Sequence, residues 1–521
     1  MPVCFNLGLS EVGVLSNAVT VGEDRVTDKR FILKEIENFK KSKKRLDMIT
    51  GEKYYMGLHD ILKRKRTAIG EDGNLIEIEN LPNNRIVDNQ YKKMVDQKTN
   101  YLLGKPITCQ SDNDTYSDAL KNIFNNKFQR LLKSIGEDSL NCGIAWMYVY
   151  YNENGEIAFK RVKPYEVIPL WNDSEHTILD GAIRIYEVIE LTNDSTEKVV
   201  EKVEVYDANG VSFFVLQDGD LVPCEPFRQT YITLVDEENK TTEGYNWTNI
   251  PLIPFKYNSK EIPLIKMVKS LQDGLNIIES NFQNSMEEDT RNTILVLMNY
   301  DGENLGEFRR NLSTYGAVKV RTVDGAGGDI KKLQIEVNSD NYKAILEIFK
   351  KAIIENAMGY DAKDDRLNGN PNQMNILSMY SDIDLDASNM ETEYQASFEE
   401  LLFFVNSYIA NAGIGDFENE DIDIIFNRDM MISESETIEN CVRSEGILSD
   451  ETIVAMHPWI DDVQAELERI REQKKQNNEE LYGAYNTNNT SDSDIDDKEE
   501  KENKEKLKNG NKNEKGDKEE D

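Results

Sequence analysis

The sequence predicts an α+β protein, and changes in hydrophobic period along the chain predict it. Apolar residues recur at helical spacing up to about residue 140, alternate with period two across 141–257, and return to helical spacing after Pro263. In that last region two amphipathic helices enclose a short, turn-rich module, which a plain helical bundle would lack.

Residues 1–28 carry no clear pattern and are expected to be weakly ordered, and 29–65 form a basic amphipathic stretch. In NNRIVDNQYKKMVDQKTNYLLGKPIT, the residues Ile86, Val87, Tyr91, Met94, Val95, Tyr101 and Leu102 fall mostly at helical spacing. Gly104 and Pro106 end the pattern, which predicts a helix over about 84–103. A second helix is expected over 114–140. The run GIAWMYVYY, the turn NENG and EIAFKRVKP then read as a hairpin, with Gly155 placed for a positive φ. Strands are expected at 182–191, 198–207 and 211–217, with Asn209-Gly210 as a tight turn, so that 141–257 is one mostly antiparallel unit.

Leu264, Val268, Leu271, Leu275, Ile278 and Phe282 are spaced 4, 3, 4, 3, 4, a heptad-like stripe sustained to about residue 290. A helix of that extent is roughly 45 Å long. The runs TILVLM, GAVKVRTV and DIKKLQIEV, broken by NYDGENLG and DGAGGD, read as a compact α/β insert over 291–338. A partner helix follows at 339–358 with Tyr342, Ile345, Phe349 and Ile353 on one face. A thin helix pair cannot bury its stripe alone, so self-association is expected. The polar segment GYDAKDDRLNGNPN, with Gly369 and Pro371, is a loop over 359–372. Beyond it lie a helix over 373–411 with SMYSDIDLDASN as its weak point, a strand at 422–426, and helices at 433–445, 449–456 and 459–478. The tail from 481 is expected to be disordered.

The 521 residues hold 97 Asp+Glu against 61 Lys+Arg, a net charge of −36. This disfavours a tight or sequence-specific nucleic-acid binder and an anionic membrane surface. The tail over 491–521 contributes only −5, whereas 29–66 carry a local +8, so the charge is segregated. Five scattered cysteines, Cys4, Cys109, Cys142, Cys224 and Cys441, contain no CxxC pair and fit a reducing cytosol. The N-terminus does not resemble a signal peptide, and no apolar run approaches the ~18 residues of a membrane span.

No catalytic constellation emerges. Gly104-Lys105 is followed by proline and lacks the Walker spacing, and GAGGD at 325–329 is a turn. His59, His176 and His457 are scattered. The carboxylates Asp382, Asp384 and Asp386, or Glu418, Glu420, Asp421 and Asp423, lack an EF-hand's glycine and distal glutamate and read as solvated faces. No enzyme activity, cofactor or metal is expected.

The ordered motifs YLLGKPIT, IPLIPFKYN leading into PLIKMVKSLQDGLNIIESNFQNSMEEDTRNTILVL, and GILSDETIVAMHPWIDDVQAELERI resemble the portal proteins of tailed double-stranded-DNA bacteriophages, most closely the siphophages of Gram-positive hosts. The resemblance spans roughly 80–480. It implies a non-enzymatic ring, usually dodecameric, at one capsid vertex, assembled in the host cytoplasm and retained in the virion. Double-stranded DNA would pass through it as non-specific cargo during packaging and ejection. Terminase, a head-completion adaptor, and major capsid and scaffold proteins would be its partners, with no membrane involved.

On this resemblance, 29–257 and 373–445 are a wing, 258–290 and 339–358 the two stem helices, 291–338 a clip, 359–372 a tunnel loop and 446–480 a helical crown. The ten stripe residues from Leu264 to Ile353 named above are then stem packing positions. Lys363, Asp364, Asp365, Arg366, Asn368 and Asn370 are DNA-facing candidates, and Arg309, Arg310, Lys319 and Arg321 are clip-interface candidates. The alternative is an acidic oligomeric adaptor or scaffold without a DNA channel. The acidity itself suits a conduit, because each added phosphate contact would raise retention of a polyanion that must slide.

Overall fold

The computed structural model describes residues 28–69, 73–77, 81–191, 197–236, 241–289, 294–298, 306, 329–333, 339–362, 373–428, 434–460, 463 and 466–475. It is a mixed helical and antiparallel-sheet protein, in line with the expected α+β class. Two compact units are present: 1–369 with 374–431, and 432–521 with 370–373.

The basic stretch forms two helices, α1 (Lys29–Lys41) and α2 (Lys43–Tyr55), separated by Ser42, whose hydroxyl caps the second. Helix α1 lies on a five-stranded meander of β6 (Val167–Trp171), β7 (Leu179–Leu191), β8 (Glu197–Asp207), β9 (Gly210–Gln217) and β10 (Asp220–Gln229). Ile32 and Ile36 fill a small core there with Ile183, Val203, Phe214 and Leu221. Several basic residues of the stretch are engaged within the fold and are not left to solvent. Lys40 pairs with Glu201 at 2.6 Å, Arg45 donates to the Tyr165 carbonyl at 3.0 Å, and Lys44 binds Glu261.

A hairpin of β1 (Thr67–Ile69) and β2 (Leu75–Glu77) precedes an extended strap over 82–89, and only then does α3 (Gln90–Leu103) begin. The expected start near residue 84 fails because the amides of the strap donate to side chains of another helix, described below, instead of to carbonyls of their own. The helix expected over 114–140 is two, α4 (Asp114–Ile123) and α5 (Asn126–Cys142). Asn125 breaks it, since its side chain accepts from the amides of Lys127 and Phe128 as an N-cap.

The predicted hairpin is β4 (Ile144–Tyr151) with β5 (Ile157–Val162), turning through Gly155 at φ 75°. Residues 141–257 do not form one sheet, however. Strand β13 (Leu252–Lys256) returns to pair with β4, and all five of its residues are buried. The resulting three-stranded sheet is separate from the meander in its hydrogen bonding and packs into the main core, to which one side of the meander also contributes through Val167, Trp171, Ala182, Tyr206 and Val211. A further hairpin joins β11 (Ile232–Asp236) to β12 (Thr241–Tyr245).

Helix α6 (Ile265–Asp289) and α7 (Ser339–Asn356) bracket an antiparallel pair, β14 (Ile294–Met298) with β15 (Asp329–Leu333). Helix α8 (Gln373–Asn411) is unbroken over 39 residues. Its expected weak point holds because Ile383, Ala387 and Met390 continue the buried stripe from Ile376 to Tyr394. The strand expected at 422–426 is β16 (Asp423–Ile425), which pairs with β3 (Thr108–Gln110). In the second unit, α9 (Glu434–Arg443) and α10 (Asp450–Met456) are followed by helix over 466–475. Among the described residues no helix is long and apolar enough to cross a membrane.

Candidate functional site

The helix pair α6/α7 and the chain that leaves it are the elements singled out by sequence. Helix α6 starts from a constrained junction. Gly143, at φ 84°, ends α5 so closely against the 258–264 loop that a Cβ would lie 2.2 Å from the Glu261 carbonyl oxygen. Glu261 is buried, takes φ 52°, and accepts from His176 at 2.7 Å with Lys44 beside it. Burial would raise its carboxyl, but the His176 hydrogen bond and the Lys44 charge hold it down at about 2.

The heptad stripe is used within the chain. Leu264, Val268 and Leu275 are fully buried, Leu271 and Ile278 are partly so, and Ile353 of α7 is fully buried. Phe282 packs on Tyr342 with ring centroids 4.8 Å apart, and Phe349 lies over Gly274, where a Cβ would meet its Cε1 at 2.5 Å. Burial of the stripe therefore does not require another copy. The large apolar side chains left exposed are different ones: Met267, Ile277 and Met286 of α6, and Ile345 and Ile348 of α7. Ile345 is the one predicted stripe residue that lies on this open side.

A second stripe on α6 was missed in the sequence. Gln272, Asn276, Ser280 and Asn284 recur every four residues and are buried, and each accepts a backbone N–H from the strap or the first turn of α3. Asn84 N–H donates to Asn284 Oδ1 at 2.7 Å, and Ile86 N–H to Ser280 Oγ at 3.0 Å. Asp88 N–H donates to Asn276 Oδ1 at 3.1 Å, and Tyr91 N–H to Gln272 Oε1 at 3.0 Å. The spacings match because two extended residues advance about 6.6 Å and four helical residues about 6 Å. The motif QxxxNxxxSxxxN, flanking an apolar heptad, was the available signal.

At the other end, α3 grips the chain leaving α7. Gln97 accepts from the Tyr360 amide at 3.1 Å and donates to its carbonyl at 2.9 Å. Lys98 Nζ donates to the Met358 carbonyl at 3.2 Å and to Asp386 of α8 at 2.6 Å, and Tyr257 hydroxyl donates to the same carboxylate at 2.9 Å. Burial holds the Lys98 amine below the ordinary lysine range, with Asp386 opposing that shift. The Tyr360 ring packs at a tilt against Tyr380 with centroids 4.5 Å apart, beside a groove of about 510 Å³ whose lining includes Lys92, Lys93 and Ala362. The candidates Lys363, Asp364, Asp365, Arg366, Asn368 and Asn370, and likewise Arg309, Arg310, Lys319 and Arg321, lie outside the described residues.

The aspartates of SMYSDIDLDASN are not one cluster. Asp384 accepts from Tyr101 hydroxyl at 2.9 Å and pairs with Arg428, whereas Asp386 faces Lys98. Their solvated-face reading is thus corrected for these two, because α8 presents them to cations on different sides. Two other carboxyls, the half-buried Asp138 and Glu400, are each raised to about 7 by loss of solvation. Among the described residues, no group of three or more His, Cys, Asp or Glu is arranged to hold a metal ion.

Comparison with known proteins bears on the whole of this arrangement. A family model described as phage portal protein, SPP1 Gp6-like, matches residues 33–480. The portal protein of Bacillus phage SPP1 is 29% identical over 436 residues, covering 82% of this chain and 84% of that protein. The portal protein of Clostridium phage phiCD119 is 26% identical over 447 residues, covering 83% and 93% respectively.

Proposed function

The chain belongs to the SPP1 Gp6-like family of phage portal proteins, and from that premise we propose how its parts divide the work. As a portal protein it acts at the portal vertex of a bacteriophage capsid, in head–tail connection, as a conduit for DNA in packaging and ejection and as a docking site. The family is structural, forms homo-oligomeric rings and associates with capsid and terminase. The observation that carries the reading is the family match over residues 33–480, which takes in the helix pair, the five-stranded meander and the three-stranded sheet.

In finer terms, the ring has twelve copies, assembles in the host cytoplasm alongside scaffold protein, and receives a head-completion adaptor after terminase leaves. Residues 258–290 and 339–358 form the stem. The antiparallel pair β14/β15 supports this, since it brings the chain into and out of 291–338, the clip, side by side. Met267, Ile277, Met286, Ile345 and Ile348 are the apolar surface available to neighbouring copies. Residues 29–257 with 373–445 are the wing and 446–480 the crown. The loop over 359–372 faces DNA, with Lys363 and Arg366 meeting phosphates and Asp364 and Asp365 limiting how tightly they hold.

Deleting residues 362–370 is expected to leave rings with an axial hole in electron micrographs while packaging in an in vitro assay falls at least tenfold. Full packaging by that variant would overturn the loop's role, and particles without an axial hole would favour the adaptor alternative. Intact protein is also expected to bind duplex DNA weakly, with Kd no tighter than about 1 μM at physiological salt. Fluorescence anisotropy giving nanomolar affinity would contradict the sliding-conduit reading of the −36 charge.

A further inference from the structure

His59 is buried where the C-terminal turn of α2, the strap over 82–89 and helix α6 meet, stacked on Tyr54 with ring centroids 4.3 Å apart. Its protonation state is dictated by its neighbours. Nε2 lies 3.0 Å from the Tyr54 carbonyl oxygen, which can only accept, so Nε2 carries the hydrogen. Nδ1 lies 2.7 Å from Asn276 Nδ2.

The orientation of that amide is set independently of the histidine. Asn276 Oδ1 accepts from the Asp88 N–H at 3.1 Å and from Gln272 Nε2 at 3.1 Å. The Gln272 amide is itself fixed, because its Oε1 accepts the Tyr91 N–H and its Nε2 donates to the Asp88 carbonyl at 2.6 Å. Asn276 must therefore turn its NH₂ to the ring, and Nδ1 must accept. The imidazole is neutral, with one allowed tautomer.

A proton added at Nδ1 would set two donors face to face at 2.7 Å. Rotating the Asn276 amide by half a turn relieves that clash but presents NH₂ to the Asp88 N–H and to Gln272 Nε2, so both bonds are lost. We propose that His59 is a proton-operated latch on the strap: neutral imidazole holds the α6 ladder closed around Asp88, and imidazolium releases it. The strap leads directly into α3, which grips the base of the 359–372 chain, so release loosens that base from α6.

Charged groups on every surrounding element enter this balance. Asp60 beside the histidine and Asp273 of α6 favour imidazolium, but Lys269 bridges both at 2.7 Å. Tyr54 hydroxyl is bound to Asp273, and the hydrogen bonds with the Tyr54 carbonyl and the Asn89 side chain also favour the charged ring. The Asp88 carboxylate is paired with Lys350 at 2.7 Å, with Glu279 next to that pair. Burial outweighs the aspartates and lowers the imidazole below its usual range. A histidine whose folded pKa is lowered contributes stability that is intact above its unfolded pKa of about 6.5 and is lost as pH falls below it.

Backbone amide exchange read at residue resolution in the full-length ring tests this directly. With one proton taken up on opening, protection of the Ile86 and Asp88 amides, corrected for intrinsic rate, is expected to fall about tenfold from pH 6 to pH 5. In His59→Gln it should stay level. In Asn276→Asp the carboxylate accepts from Asp88, Gln272 and the imidazolium alike, so protection should hold or rise over the same interval. Level protection in the unmodified protein, or an equal fall in His59→Gln, overturns the latch. If His59→Gln does not fold, a tenfold fall persisting in Asn276→Asp does the same.

Discussion

Replacing Asp386 by alanine is expected to lower the unfolding free energy by about 3–5 kcal/mol, because it strands a buried ammonium. Lys98 is 3% exposed, and Asp386 is its one close carboxylate partner among the described residues. The Met358 carbonyl, at 3.2 Å, would be left as its remaining acceptor, and the Tyr257 hydroxyl would lose its own. The damage should not be confined to α8, since the same lysine ties α3 to the end of α7. Exchanging both partners for apolar residues, Lys98→Met with Asp386→Leu, removes the uncompensated charge and should recover most of the loss. Urea unfolding followed by fluorescence of the buried Trp146 and Trp171 measures both. A cost below about 1 kcal/mol for Asp386→Ala would mean that water reaches the lysine and that the pair is not what fixes the loop base.

Gly143→Ala should be comparably severe, at about 2–5 kcal/mol. Part is the conformational cost of a side chain at φ 84°, about 1–2 kcal/mol. The remainder comes from contact with backbone that has little room to yield. The new Cβ would lie 2.2 Å from the Glu261 oxygen and 2.5 Å from its carbonyl carbon, forcing the 258–264 loop, and with it the start of α6, away from α5. Gly155 supplies the control. It has φ 75°, and a Cβ added there would meet no atom within 4 Å, so Gly155→Ala should show the conformational cost alone. Equal melting temperatures for the two variants would show that the close approach at Gly143 carries no penalty.

The latch, the lysine and the glycine all lie where one element touches another, and this is where the sequence was least legible. Periodicity located α6, α7 and α8 nearly to their ends, because a helix buried on one side repeats its apolar residues in a pattern set by its own geometry. It misplaced the start of α3. Ile86 and Val87 fit a helical pattern, but the amides at 84, 86 and 88 donate to the polar stripe of α6, a partner about 200 residues away in the chain. Gln272, Asn276, Ser280 and Asn284 are residue types that also suit the solvent side of a helix, and nothing local shows that they are buried. The aspartates at 384 and 386 likewise looked solvated, since Lys98 and Arg428 reach them from distant segments.

Local periodicity and motifs kept in order were enough for the α+β class, the long helices α6, α7 and α8, the hairpin at 144–162 and the membership of a portal family. Tertiary structure alone decided that the heptad stripe is buried within the chain, that Met267, Ile277, Met286, Ile345 and Ile348 remain open instead, and that an extended strap is pinned to α6 by side chains. The physical reason is that a buried amide or charge must find a partner wherever the fold places one, and the partner's identity is not encoded in the spacing of residues around it.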